Sequence, residues 1–264
     1  MTIDHKKEKY ISRLNIMDDV FFHKIAEDPE ASEEIIGTII EKEIKIIESQ
    51  AQKYLRNIDN RSVVLDALCK DSTGKYYNIE VQKQDNNDHQ RRVRYNGSNI
   101  DTMFTEQSIG FKDIPDVYVI YISEFDIFKA GKALYHIKRI VSETGEEVDN
   151  GFYEIYTNLM APRDGSKISE LLTYLTDSTG RNSKFPKLSK RVNYFKQTKK
   201  GVEEMSKIVE EIMLEGEKRG EKRGEKKGER TIIMSMFNKK IPVEEIAWMT
   251  GKSVETIKKI IDMK

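Results

Sequence analysis

The stretch RSVVLDALCKDSTGKYYNIEVQKQ, residues 61 to 84, limits the fold more than any other. Two β-prone runs flank DSTG at 71 to 74, where Asp and Gly supply the turn chemistry of a hairpin. In the second run Tyr77, Ile79 and Val81 fall on one strand face, and Asn78, Glu80 and Gln82 on the other. The first run sets Asp66 among apolar neighbours, where a buried carboxylate without a partner is costly. If the hairpin pairs across DSTG, Asp66 and Glu80 come close, although a one-residue slip would separate them onto opposite faces. Two close carboxylates repel, which raises one pKa unless a cation lies between them. A hard divalent metal resolves this, and Mg²⁺ suits two carboxylates plus waters and a phosphate oxygen. The plainer alternative has Asp66 capping a turn or pairing with an arginine, and Glu80 facing solvent on an edge strand. Spacing alone leaves both open.

Around the hairpin, residues 17 to 42 carry apolar side chains at helical spacing, interrupted by Pro29. They predict a helix over 18 to 26 and a longer one over 30 to 42. EIKIIESQ, 43 to 50, predicts a strand, and 87 to 109 a helix. PDVYVIYIS, 115 to 123, suits a strand buried on both faces. HIKRIVSE (136 to 143) and FYEIYTNL (152 to 159) predict two more strands, and SKISELLTYLTD (166 to 177) an amphipathic helix. The alternation of helix and strand makes the class α/β. Residues 184 to 200 hold seven Lys or Arg and no acid. That is either a solvated helix face or an electrostatic contact with a polyanion, with Lys190 and Arg191 at its centre.

The tail differs in kind. Residues 216 to 230 repeat as GEKR, GEKR, GEKK, GER. Glycine every fourth residue weakens a helix, whereas charge rows four apart support one. A solvated helical spacer or a self-association helix is expected. After it, Val243 to Met249 and a segment capped by Ser253 and ending at Asp262 predict two short helices joined at Gly251. With Ala247 four residues before Gly251, this fits a helix-turn-helix corner. A plain helical hairpin that packs on a partner fits as well.

Composition narrows the function classes. Charged residues make up 34% of the chain and cancel to zero, which excludes a uniformly basic nucleic-acid binder but not a local basic groove. Cys69 is the sole cysteine, so disulfide frameworks and Cys-rich zinc modules are excluded, and a small core residue is expected there. The start MTIDHKKEKY has no apolar run and no stretch approaches a membrane span. A cytoplasmic, soluble protein is expected. The histidines at 5, 23, 89 and 136 lack metal-ligand spacing. No phosphate-cradling glycine loop and no G-x-S-x-G elbow is present.

Four features together resemble the Rpn (recombination-promoting nuclease, transposase-like) family of the PD-(D/E)XK nuclease superfamily. DVFFHK, with Asp19 before Phe22, resembles an N-terminal D-x-x-F-K signature, with His23 where the lysine would stand. LDA with Asp66 resembles the second-strand acid. IEVQ, with Glu80 and Gln82, resembles an I-E-x-Q strand. Arg91 and Tyr95 resemble an R-x-x-x-Y helix. The resemblance spans roughly residues 17 to 125, and the charged repeat resembles tails that members often carry.

The resemblance implies a PD-(D/E)XK restriction-endonuclease-like core, a mixed central sheet flanked by helices, with a helical C-terminal extension. The expected domains are 1–200 (nuclease-like), 201–230 (repeat helix or linker) and 231–264 (helix-turn-helix-like tail). It implies a DNA endonuclease using Mg²⁺ or Mn²⁺, in a recombination or mobile-element setting, and since double-strand cutting needs two sites a dimer is expected. Asp66 and Glu80 would bind the metal, with the Val81 carbonyl as a third ligand. Gln82 stands where the superfamily has a lysine and would position a water without supplying charge. Lys83 points to the opposite strand face, and Lys70 on the partner strand is a candidate substitute. Asp19 either completes the acidic site or is a helix N-terminal residue favoured by the dipole. Arg91 and Tyr95, one turn apart, and Arg92 beside them would contact DNA phosphate; an arginine there could equally pair with an acid one turn away. From another class, a catalytically weak DNA-binding or self-associating protein remains, as does an RNA-directed nuclease.

Overall fold

The computed structural model describes residues 3–56 and 62–262; Arg61, the first residue of the expected hairpin, lies outside them. The chain divides into two compact units, Met1–Met205 and Ser206–Lys264.

In the first unit, α1 (Ile3–Arg13), α2 (Asp19–Ala26) and α3 (Pro29–Ile39) precede β1 (Ile46–Leu55), β2 (Val63–Asp71) and β3 (Tyr76–Gln82). Helix α4 (His89–Phe104) and a single 3-10 turn at Phe111–Asp113 lead to β4 (Val117–Ser123). Four more strands follow, β5 (Leu134–Ile137), β6 (Arg139–Ile140), β7 (Glu147–Val148) and β8 (Phe152–Asn158). Helices α5 (Lys167–Leu175) and α6 (Pro186–Gln197) and the first turns of α7 (Lys199–Asn238) complete it.

Six strands make one sheet in the order β1-β2-β3-β4-β8-β5, and β6 pairs with β7 apart from it. β4 is buried along its whole length and runs parallel to both neighbours, β3 and β8. Its unbroken apolar sequence is what a strand covered on both faces requires. α4 is the crossover from β3 to β4. Its Val93 and Ile100 pack with Leu65, Leu68, Val119 and Tyr121 of the sheet. Gly97 of α4 is needed for that approach, because a Cβ there would lie 2.1 Å from the Phe152 ring. On the other side α2 and α3 pack on β1, α2 also reaches β2, and α3 is backed by α5 and α6.

The expected hairpin forms with its expected turn. Asp71 Oδ1 accepts the backbone N–H of Thr73 at 2.8 Å and of Lys75 at 3.0 Å, and Gly74 takes φ 91°. β2 and β3 then pair antiparallel from Lys70↔Tyr76 to Ala67↔Ile79. Several boundaries move. α3 ends at Ile39 rather than 42, since Glu41 sits at φ 55° and breaks the helix. The first strand is Ile46–Leu55 rather than 43 to 50, because its pairing with β2 carries it on to Leu55↔Val63. α4 stops at Phe104, where Thr105 turns extended. The strand expected over 136 to 143 divides into β5 and β6, only the first of which joins the main sheet.

In the second unit, α7 continues to Asn238, followed by α8 (Val243–Thr250) and α9 (Val254–Asp262). The repeat is helical throughout, although each glycine costs about 1 kcal/mol relative to alanine. Gly216, Gly220, Gly224 and Gly228 all border open space. Ile233, Ile246, Ala247 and Ile257 form a small core. Gly251 ends α8 at φ 66°, and the Ser253 hydroxyl accepts the Thr256 N–H at 3.2 Å. Among the described residues, no helix is long and apolar enough to cross a membrane.

Candidate active site

The site begins where the β2–β3 ladder stops. Beyond Ala67↔Ile79, the next step in register sets Asp66 across from Glu80. There side chains take over from backbone. The Val81 N–H donates to Asp66 Oδ2 at 2.9 Å, and the Asp66 N–H to Glu80 Oε1 at 3.3 Å. Asn78 Nδ2 donates to the same Glu80 oxygen at 2.9 Å and to the Ala67 carbonyl at 3.1 Å. β1 departs from regular geometry at the same level. Between Ala51↔Ala67 and Lys53↔Leu65, Gln52 takes φ 49°, a conformation uncommon outside glycine. Such backbone outliers gather at functional sites, and here one stands opposite Asp66.

Glu80 is only 3% exposed. Burial, then repulsion from Asp66, pushes its pKa up to about 8. Asn78, the Asp66 N–H and Arg92 act against that rise without cancelling it. Glu80 opens into a cleft of about 780 Å³ lined on the α4 side by Arg91, Arg92, Arg94, Tyr95 and Asn99. Arg92 is the arginine whose charge acts on Glu80, and it is held by Asp88 at 3.1 Å. The sequence had pointed first to Arg91, which is exposed on the same cleft. Hard oxygen donors around a buried, incompletely neutralised carboxylate fit Mg²⁺ or Mn²⁺.

On the α2 side stand Asp19 and His23, one turn apart. His23 Nε2 lies 3.5 Å from Asp19 Oδ1 and 3.7 Å from Asp66 Oδ1. Donor atoms of the three residues all fall within 4.8 Å of one another. Spacing against other histidines carried no signal, but Asp19 and His23 share a helix face, and helix packing brings that face to Asp66.

A family model described as PD-(D/E)XK nuclease family transposase matches residues 33–219. The chain belongs to that family. No curated protein and no solved structure matches it. Nucleases of the PD-(D/E)XK class typically use divalent metals. The matched stretch starts after α2, so Asp19 and His23 stand outside it.

In this PD-(D/E)XK transposase-family chain, further residues brace the site. His89, buried in the first turn of α4, meets the Tyr121 hydroxyl at 2.8 Å and Asp85 at 2.8 Å. Tyr121 is the β4 partner of Glu80, and burial raises its pKa so far that the hydroxyl stays protonated. This link fixes the start of α4, and with it Arg92, against the strand beside Glu80. Neither it nor the Asn78 brace was assigned from sequence. Asn78 was detectable there, two residues before Glu80 on the same face, whereas His89 and Tyr121 meet only through tertiary packing. Gln82, half-buried at the end of β3, lies two residues beyond Glu80. Lys83 is engaged by Asp18 at 2.6 Å, tying β3 to the start of α2. Lys70 is no substitute for a catalytic lysine. It lies over the Tyr76 ring at 5.3 Å, four strand residues from Asp66, or about 13 Å along the chain.

The basic helix α6 of the transposase-family fold is used largely within its own unit. Arg191 donates through Nε and Nη2 to the Lys24 carbonyl at 3.1 and 2.9 Å and lies over the Phe195 ring at 4.5 Å. It satisfies a carbonyl in the last turn of α2 that the helix leaves open. Lys187 pairs with Glu33, and Lys196 Nζ donates to the Leu14 carbonyl at 2.5 Å. Lys190 stays 80% exposed, 3.5 Å from Glu30.

Proposed function

We propose that this PD-(D/E)XK family protein is a metal-dependent DNA endonuclease that hydrolyses phosphodiester bonds during recombination or transposition of a mobile element. The observation that carries the reading is the pair of buried Glu80 and half-buried Asp66, with Glu80 opening into an arginine-lined cleft. Two carboxylates so placed favour a cation between them, and the arginines favour a polyanion in front of them.

A divalent cation held by Asp66 and Glu80 would polarise a phosphodiester and lower the pKa of a bound water. The rest falls to the chain. Asn78 and the Val81 N–H hold the two carboxylates in place. Arg92, with Arg91 along the cleft, binds phosphate oxygens, and Tyr95 offers a ring for stacking. Gln82 orients the attacking water by hydrogen bonds and supplies no charge. Lys190 adds a screened, long-range attraction at most. Cutting both strands calls for two such sites, so the working unit on duplex DNA is a dimer. The short helices α8 and α9 serve DNA contact or self-association.

Cleavage of supercoiled plasmid by the full chain, with Mg²⁺ or EDTA, beside Glu80→Ala, tests this. Metal-dependent nicking that the variant lacks supports it. DNA binding without cleavage points instead to a binding module, and cleavage of RNA alone changes the substrate.

A further inference from the structure

Beyond the pair of carboxylates, we infer that Asp19, His23 and Asp66 form a divalent-cation site with one nitrogen ligand, selective for a borderline transition ion such as Co²⁺ or Zn²⁺ over Mg²⁺. The inference rests on the reading that this centre binds a divalent cation, and it adds which one the chain prefers.

His23 carries the argument. Its side chain is 9% exposed, and among the described residues Nε2 has no hydrogen-bond partner although it is buried. A buried ring nitrogen left unsatisfied is costly, so it calls for a partner. Nε2 faces Asp19 Oδ1 at 3.5 Å and Asp66 Oδ1 at 3.7 Å, too far for good hydrogen bonds. Those separations suit a shared ion. Ligands about 2.1 Å from one ion at tetrahedral angles lie about 3.4 Å from each other. Asp66 can serve this site without leaving the strand. Its Oδ2 takes the Val81 N–H, while Oδ1 faces His23. Asp19, 72% exposed, keeps the site open to incoming ions and water.

The sequence gives the reason for the preference. An all-oxygen set of carboxylates suits Mg²⁺, whereas an imidazole nitrogen shifts affinity toward later first-row ions. A lysine in the place of His23 would bring a competing positive charge, not a ligand.

The test uses the full chain stripped of metal, with Co²⁺ as the probe. Visible absorption of Co²⁺ reports its ligands, and competition against it ranks Mg²⁺, Mn²⁺ and Zn²⁺. The wild type should bind Co²⁺ at least about tenfold more tightly than Mg²⁺. His23→Gln should lose at least about tenfold in Co²⁺ affinity, with a changed absorption band, while its Mg²⁺ affinity moves less than about twofold. An unchanged band and affinity in His23→Gln overturn the inference. If that variant does not fold, Asp19→Asn, at an exposed position, takes its place: a tenfold loss of Co²⁺ affinity supports the site, and no loss overturns it. A wild type that cuts no nucleic acid with any cation, yet shows the His23-dependent Co²⁺ band, retires the nuclease reading and leaves this site standing. Cleavage with a band indifferent to His23 does the reverse.

Discussion

Helices α4 and α6 look alike in sequence. Each carries clustered arginine or lysine interleaved with aromatic residues, and each invites a nucleic-acid reading. In the structure they part company. On α4, Arg91, Arg92 and Arg94 line an open cleft beside Glu80, and Arg92 adds its charge to that of the site. On α6, Arg191 caps α2, Lys187 pairs with Glu33, and Lys196 is spent on backbone carbonyls. The difference lies in what each helix faces. α6 packs on α2 and α3, which present acids and helix-end carbonyls. α4 faces the sheet at the point where two carboxylates crowd one another. A cation spent on helix-end carbonyls and a buried acid is a fastener; Arg91 and Arg94, exposed along an open cleft, remain able to bind an anion, and Arg92, although paired with Asp88, adds its charge beside Glu80.

The largest expected effect concerns the α4 side. Asp66→Ala or Glu80→Ala should lower plasmid cleavage by at least about a thousandfold, or about 4 kcal/mol in the barrier. Circular dichroism should stay native. Activity retained in either variant would remove the site, and with it the meaning of the contrast. Next, Arg92→Ala should slow cleavage by about ten- to a hundredfold, whereas Lys190→Ala should stay within about twofold. Equal losses would show that α6 also holds the substrate.

Salt dependence sharpens the contrast further. Arg91→Ala should reduce the slope of log affinity against log salt by about one. Arg191→Ala should leave that slope alone and lower stability by about 1–3 kcal/mol, through the exposed Lys24 carbonyl. A changed slope for Arg191→Ala would restore α6 as a DNA surface.

The subtlest effect is in pH. Glu80 titrates near 4.5 when unfolded and is raised to about 8 when folded. Between those values the folded state binds the extra proton, so stability falls as pH rises from about 4.5 through about 8 and levels off above. Glu80→Gln should abolish this decline, and a divalent cation should reverse part of it while releasing a proton. Thermal melts from pH 5 to 9, with and without Mg²⁺, measure it. A decline as steep in Glu80→Gln as in the wild type would assign the titration to another group.

Much of the centre was legible before any coordinates. The turn at Asp71 and Gly74, the alternation along β3, and the buried β4 all follow from backbone periodicity and turn chemistry, which are properties of neighbouring residues. The pairing that brings Asp66 to Glu80 stayed open in the sequence, since a one-residue slip would separate the two acids; the register of β2 on β3 decided it. The order of the sheet was not legible, because β8 joins β4 across a long connection with no local signal.

By itself, then, the sequence determined a charged hairpin that could not bury its acids without help. Only the tertiary structure decided what helps. Packing of α2 on the sheet set His23 beside Asp66, the link from His89 to Tyr121 tied the first turn of α4 to the strand beside Glu80, and α6 spent its cations on α2 and α3. Each of these unites residues far apart in the chain. Their meeting depends on how helices dock against strands, and no spacing within a single element encodes it.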